Sequence, residues 1–149
     1  HFGAEVTGVC GTSSVELVRS LGAHHVIDYK KEDFTRNGVQ YDIIMDTAGT
    51  APYPRSKHSL RENGRMLQVL GGLADLLMVP VASLTSKKRI IAGPAAEKPD
   101  DVRFLADLAA RGEYRAVIDR RYPFEQIVEA HRYVDSGHKK GSVVITVGA

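Results

Sequence analysis

Between residues 4 and 29, short apolar runs alternate with turn residues in the order strand, turn, helix, strand. Val6, Gly8 and Val9 make a largely apolar run bounded by turn residues, the pattern of a buried parallel strand. Cys10-Gly11-Thr12 breaks it. Ser13 then stands at an N-cap position with Glu16 three residues on, the spacing of a capping box. Val15, Leu17, Val18 and Leu21 supply the apolar side of a two-turn helix, and Glu16, Arg19 and Ser20 its polar side. Gly22 is placed to end it. Residues 24–29 form a second strand, which returns parallel because a helix has been crossed. Open α/β sheets bind ligands at the carboxyl ends of such strands, and there this stretch presents Gly11, Thr12, Ser13, Ser14 and Tyr29.

Residues 30–37 are polar and predict a turn or a short helix. Tyr41-Asp42-Ile43-Ile44-Met45-Asp46 reads as a third strand, with Thr47-Ala48-Gly49-Thr50 as its turn and Asp46 placed to position that turn. A helix is predicted over 53–60, with Pro54 in its first turn. Glu62-Asn63-Gly64 turns the chain into a strand over 65–70, which ends at Gly71-Gly72. Residues 73–84 are apolar but irregular, and Pro80 argues against one continuous helix. A strand over 87–92 closes at Gly93-Pro94. This alternation predicts a parallel, doubly wound α/β sheet. Beyond it the pattern shifts. A helix opens at Pro99 with Val102, Leu105, Leu108 and Ala109 on one face, and a short strand follows over 116–119. A helix over 124–136 carries Phe124, Ile127, Val128, His131 and Val134 at helical spacing, before a last strand over 142–147.

The totals narrow the chemistry. A length of 149 residues suits one ordinary domain or parts of two. The formal net charge of +2, with Lys and Arg scattered, indicates neither a nucleic-acid nor an anionic-membrane partner. The single cysteine excludes an internal disulfide, and Cys10 reads as a small buried residue at a strand end. With no signal-peptide pattern and no apolar span of membrane length, a soluble cytoplasmic protein is the expectation. His24 and His25 point to opposite faces of a strand, and no close Cys/His cluster occurs, so no metal site is expected. Asp42 and Asp46 share a strand face but stand too far apart for an acid/base pair, and no residue reads as a catalytic acid, base or nucleophile. No G-x-G-x-x-G occurs, and the acid that ends the second strand of a nucleotide-binding unit and holds the ribose of NAD has no counterpart in Val9-Cys10-Gly11-Thr12-Ser13-Ser14. The small residues and hydroxyls there suit a phosphate, though taken alone Thr12 and Ser13 are better explained as a helix cap.

Four segments carry a resemblance: VTGVCGTSSVELVRSLGAHHVIDYKKEDF, YDIIMDTAG, GRMLQVLGG and YPFEQIVEAHRYVDSGHKKGSVVITV. In this order they resemble the C-terminal half of a medium-chain dehydrogenase/reductase, in particular its zinc-free, NADPH-dependent, quinone-oxidoreductase-like branch. The resemblance implies a Rossmann-like sheet incomplete at its N-terminal side, the first strand and glycine-rich loop lying before His1. Residues 1–93 would be part of the NAD(P)-binding domain, and residues 94–149 a return into a catalytic domain. It further implies that Gly11, Thr12, Ser13, Ser14 and Tyr29 surround the adenosine 2′-phosphate of NADP. Relatives often carry a base where Ser13 stands, a role open here to Lys30 or Arg19. By the same resemblance, Thr47, Ala48 and Gly49 pass the adenine and its ribose. Leu70, Gly71, Gly72 and Gly93 approach the nicotinamide, and Ser142 closes over the cofactor. The implied activity is hydride transfer from NADPH to a quinone, an aldehyde or ketone, or an enone, in a homodimer joined through the 87–92 edge strand. A zinc-dependent alcohol dehydrogenase of the same family and a non-catalytic NADPH-binding module are the alternatives. The 149 residues alone are expected to be inactive.

Overall fold

The first apolar run and its return strand pair as their pattern predicts. The computed structural model describes residues 1–70, 72, 77–80, 82, 86–93 and 98–148. In it β1 (Thr7–Cys10) and β2 (His25–Asp28) lie parallel, with Thr7 opposite His25 and Cys10 opposite Asp28. Parallel pairing needs a crossover, and α1 (Val15–Ser20) supplies it. The helix lies close on the strand: a Cβ at position 8 would overlap Val18 Cγ1, which glycine avoids. The start of α1 differs from the expected capping box. Thr12–Ser14 forms a 3-10 turn, Ser14 rather than Ser13 is the N-cap, and Glu16 accepts from Arg19 instead of reaching back. A tightened first turn of this kind is common at helix starts and displaces the cap by a residue.

A second parallel sheet contains β3 (Tyr41–Asp46), β4 (Leu60–Gln68) and β5 (Arg89–Ala92), in that spatial order. Between β3 and β4, α2 (Tyr53–Ser56) continues as a 3-10 turn (Lys57–Ser59), where a single helix was expected over 53–60. β4 also begins before the expected 65. Its register shifts between the Tyr41–Leu60 and Ile43–Arg65 pairs, which absorbs Glu62-Asn63-Gly64 into the strand. Asn63 makes this possible by taking φ of 64°, a left-handed conformation its short side chain tolerates. The core of this sheet is Leu60 and Met66, both fully buried, with Ile44, Tyr53, Ala82 and Ile90. Fully burying one such aliphatic side chain contributes about 1.5–3 kcal/mol. Residues 77–80 and 82 are helical. The remainder of 73–84 lies outside the described residues, as do Gly71 and Pro94.

β1 and β3 do not pair. Written as β2-β1, an open place, then β3-β4-β5, the strands follow the 3-2-1-4-5-6 order of a doubly wound sheet with position 1 vacant of a strand. The open place is a cleft. A cavity of about 530 Å³ touches Thr7, Val9, Ile43 and Met45, and a second of about 540 Å³ shares Thr7, Glu32, Tyr41 and Ile43 with it. The Val6 and Cys10 carbonyls accept from the β2 side, at His24, His25 and Tyr29. The Asp46 carbonyl accepts from Val69 on the β4 side. Main-chain groups alternate in direction along a strand, so those of Thr7, Val9, Ile43 and Met45 face the cleft. The side chains of Ile43 and Met45 are 57% and 61% exposed.

The chain divides into two compact units, Gly3–Ala96 and a second made of His1–Phe2 with Glu97–Ala149. The second contains α3 (Pro99–Ala110), β6 (Ile118–Pro123), α4 (Ile127–Asp135) and β7 (Ser142–Thr146). β6 and β7 are parallel, Ile118 opposite Ser142, and β6 runs beyond the short strand expected over 116–119. Asp119 ties the unit together, accepting from Tyr133 Oη at 2.7 Å and from the Lys140 N–H at 2.8 Å. The Arg120 guanidinium lies over the Tyr133 ring at 3.7 Å. The apolar helix faces are only partly covered. Leu108 and Ala130 are buried, whereas Val102, Leu105, Phe124, Val128 and His131 are exposed, because a two-stranded sheet has little face to offer two helices.

Candidate functional site

Parallel strands deliver their chemistry at their carboxyl ends, and at those of β1 and β2 Cys10, Gly11, Thr12, Asp28, Tyr29 and Lys30 meet. Tyr29 follows β2 and donates its N–H to the Cys10 carbonyl at 3.0 Å, which brings its side chain over the turn after β1. A Cβ at position 11 would stand 3.0 Å from Tyr29 Oη, so Gly11 leaves the phenol its place. Thr12 Oγ1 donates to Asp28 Oδ2 at 2.6 Å, and the Lys30 N–H donates to Asp28 Oδ1 at 3.0 Å. The Thr12 hydrogen bond is the main reason the Asp28 carboxyl lies below its ordinary range; burial works against it, and Lys30 and Lys31 assist. Burial, and then the Asp28 charge, push the neighbouring Cys10 thiol up.

The end of β3 is organised by one carboxylate. Asp46 is 6% exposed. Its Oδ1 accepts the N–H groups of Ala48 (3.0 Å), Gly49 (2.9 Å) and Thr50 (3.4 Å), and its Oδ2 that of Ala51 (2.8 Å). Burial pushes this carboxyl up, but the four backbone donors together outweigh it and hold it below the usual carboxylate range. Gly49 turns the chain at φ 70° and lies against Leu70, whose Cβ would be 3.9 Å from a Cβ at position 49. Arg55 braces the same turn, donating to the Thr50 carbonyl at 3.1 Å and to Asp33 Oδ2 at 3.1 Å. Hydrogen bonds from Thr35, and then Arg55, draw Asp33 down to about 2. Opposite Asp46, the last residue of β4 is Gln68, 5% exposed, whose Nε2 has no hydrogen-bond partner among the described residues.

The candidate residues fall into groups. Tyr29, Thr47 and Ala48 line the cavity of about 530 Å³, and Gly11, Thr12, Ser13 and Ser14 form the turn beside Tyr29. Gly49 and Leu70 meet at the end of the second sheet. Gly72 and Gly93 are exposed, Gly93 turning at φ 127° just past β5. Gly71 lies outside the described residues. Ser142 opens β7 in the second unit and donates its N–H to the Val117 carbonyl at 2.7 Å. Pattern reading missed Asp28, Asp33 and Arg55 as parts of the site. For Asp28 a signal existed: an acid in the last position of a strand, directly before the tyrosine already singled out. Among the described residues, no group of three His, Cys, Asp or Glu side chains is placed to hold a metal ion. Among them, too, no helix is long and apolar enough to cross a membrane.

The family model for zinc-binding dehydrogenases matches residues 21–145. A chloroplast envelope quinone oxidoreductase homolog of Arabidopsis thaliana is 29% identical over 147 residues, 95% of this chain and 45% of that protein. The mitochondrial NAD(P)H oxidoreductase RTN4IP1 of Homo sapiens is 30% identical over 172 residues, 97% of this chain and 42% of that protein. The quinone oxidoreductase from Coxiella burnetii superposes with a TM-score of 0.80 at 22% identity, over 98% of this chain and 46% of that one, which shows a common fold. The chain thus spans a little under half the length of these relatives. Matched from the residue after α1 into β7, and built on parallel strands in the doubly wound order, it belongs to the zinc-binding dehydrogenase family and has the Rossmann-like α/β fold of the medium-chain dehydrogenases/reductases.

Proposed function

We propose that the intact protein transfers hydride from NADPH to a quinone, or to an activated carbonyl or alkene, without zinc, and that this chain holds the adenosine side of the dinucleotide. The observation that carries the reading is the convergence of two shaped turns at strand carboxyl ends: Gly11–Ser14 under Tyr29, and Thr47–Ala51 on Asp46. The residues present fit the group. Gly11 leaves open the space that a Cβ would take beneath the Tyr29 hydroxyl, and a cavity of about 530 Å³ runs from Tyr29 to the Asp46 turn. The names of the relatives, quinone oxidoreductase homolog and NAD(P)H oxidoreductase, support the substrate and cofactor classes.

When bound, the nicotinamide supplies the hydride. The chain's part is to position. Backbone at Gly11 and Gly49 admits a ligand closely, Tyr29 presents a hydroxyl, and Asp46 fixes the turn against which the adenosine lies. No side chain described above is assigned as acid or base. Stopped-flow oxidation of NADPH by the intact protein against a panel of quinones tests the reading, with metal analysis of the same sample. Turnover that needs stoichiometric zinc would move the assignment to an alcohol dehydrogenase, and tight NADPH binding without turnover to a binding module.

Cofactor choice is testable at the first turn. Replacing Thr12 by Asp puts a second carboxylate beside Asp28, and the NADPH-to-NADH ratio of kcat/KM is expected to fall about tenfold, one well-placed charge being worth of order 1–2 kcal/mol near a protein surface. An unchanged ratio would make the turn a helix cap only.

Assembly is part of the proposal. Among the described residues β5 is paired on one side only, and Ile91 on it is 50% exposed while its neighbour Ile90 is buried in the core. Such an edge pairs or aggregates, and pairing across a two-fold axis gives a homodimer. Ile91→Lys is expected to halve the mass seen by light scattering of the intact protein; an unchanged mass places the interface elsewhere.

A further inference from the structure

We infer that Asp28 is a specificity-determining residue, which sets how far this end of the sheet accepts a charged group on the adenosine ribose. The inference rests on the dinucleotide reading above. Asp28 is the last residue of β2 and stands opposite Cys10, the last of β1, so its carboxylate projects from the sheet where the Gly11–Ser14 turn begins. Both of its oxygens are engaged, Oδ2 by Thr12 Oγ1 at 2.6 Å and Oδ1 by the Lys30 N–H at 3.0 Å.

Two consequences follow for a ligand at that turn. The hydroxyl of Thr12 has one proton, and it is given to Asp28. Toward a ligand Thr12 therefore offers lone pairs, which suit a ribose hydroxyl that donates and not a phosphate whose oxygens only accept. The second consequence is charge. A 2′-phosphate carries nearly two negative charges at neutral pH, and the carboxylate one residue-contact away repels it, while a bare diol feels no such repulsion. Lys30 and Lys31, two and three residues after Asp28, offset part of this charge. The site can still take the phosphate form, with Asp28 restraining it and the lysines offsetting that restraint.

The test is Asp28→Asn in the intact protein. The amide oxygen still accepts one of the two bonds, from Thr12 or from the Lys30 N–H, but the charge is gone. Kd values for NADP and NAD, and for 2′-phospho-AMP and AMP, are measured by calorimetry, with kcat/KM for NADPH and NADH beside them. The phosphate-to-diol ratio is expected to rise about five- to tenfold in all three pairs, the size of one screened repulsion at contact range. Asp28→Glu, which restores the charge, returns the ratio toward the original. A role confined to stability would lower the melting temperature and leave the ratio alone. If all four ligands bind and Asp28→Asn leaves the ratio unchanged, the inference is overturned and the dinucleotide reading stands. If none of the four binds to the unsubstituted protein, the dinucleotide reading fails and the inference with it.

Discussion

Purified as these 149 residues alone, the chain is expected to give no steady NADPH oxidation with any quinone, and to run as a multimer in light scattering. The reason is the cleft between β1 and β3. Main-chain groups of Thr7, Val9, Ile43 and Met45 face it, and Val9, Ile43 and Met45 are 44%, 57% and 61% exposed around it. An unpaired strand edge with apolar side chains is a template for further pairing, and here two such edges look across one gap. The position left open is the centre of the doubly wound order, beside which dinucleotides bind. A chain whose ligand crevice adjoins two unpaired edges lacks the central strand face against which a cofactor is oriented, and orientation is the protein's share of the reaction. Ile43→Lys, which puts a charge on one edge, is expected to lower the multimer fraction without restoring turnover. Steady turnover by a monodisperse sample of the 149 residues contradicts this account.

Asp46→Ala is expected to destabilise the intact protein by about 2–3 kcal/mol in urea unfolding, a range set by hydrogen bonds to a charged group. Its carboxylate accepts four backbone N–H groups, so a simple sum would be larger. Water recovers part of the loss, because the donors Ala48, Gly49 and Thr50 are exposed and Ala51 is half-buried. The effect is also pH-dependent with a definite sign. A carboxyl held below its ordinary value of 3.8 adds stability that is fully present above the unfolded value and is lost as pH falls through the folded one. Asp33, drawn down to about 2, adds to the same acid limb between about pH 4 and 2. The gap between wild type and Asp46→Ala should therefore be widest at neutral pH and close on acidification. On the proposed dinucleotide reading, the KM for NADPH should rise with the same substitution, since the turn assigned to the adenosine loses its anchor. A gap that widens below pH 4 would mean that Asp46 is not held as a charged acceptor.

The pattern of the chain announces its strands more clearly than its contacts. β3 falls on the six residues its apolar run marks, and the parallel return of β2 follows from the helix between. The start of β4 was not legible, since Glu62-Asn63-Gly64 reads as a turn in any local window. It becomes strand only because β3 offers a partner and Asn63 tolerates a positive φ. The capping box failed for a related reason: three hydroxyl residues in a row make several starts nearly equal, and the packing of α1 on Gly8 selects among them. In the site, Tyr29 and the Thr47-Ala48-Gly49 turn were legible as strand-end features. The bond from Thr12 to Asp28 was not, because it joins residues 16 apart and depends on the register that puts Cys10 opposite Asp28. The bracing of the Asp46 turn by Arg55 was hidden likewise, since it requires α2 to fold back over the end of β3.

The separation of β2-β1 from β3-β4-β5 also bears on how the chain loses its structure. All-or-none melting needs every part to be held by bonds that the rest completes, and these two sheets share no ladder. β1, α1 and β2 close within residues 7–28 through neighbours in sequence, whereas the other sheet depends on the buried pair Leu60 and Met66. What couples them is not strand pairing but the segment after β2, where Arg55 donates to Asp33, Ser59 Oγ donates to the Phe34 carbonyl and Phe34 packs on the second core, so the cooperativity of the unit rests on those few contacts.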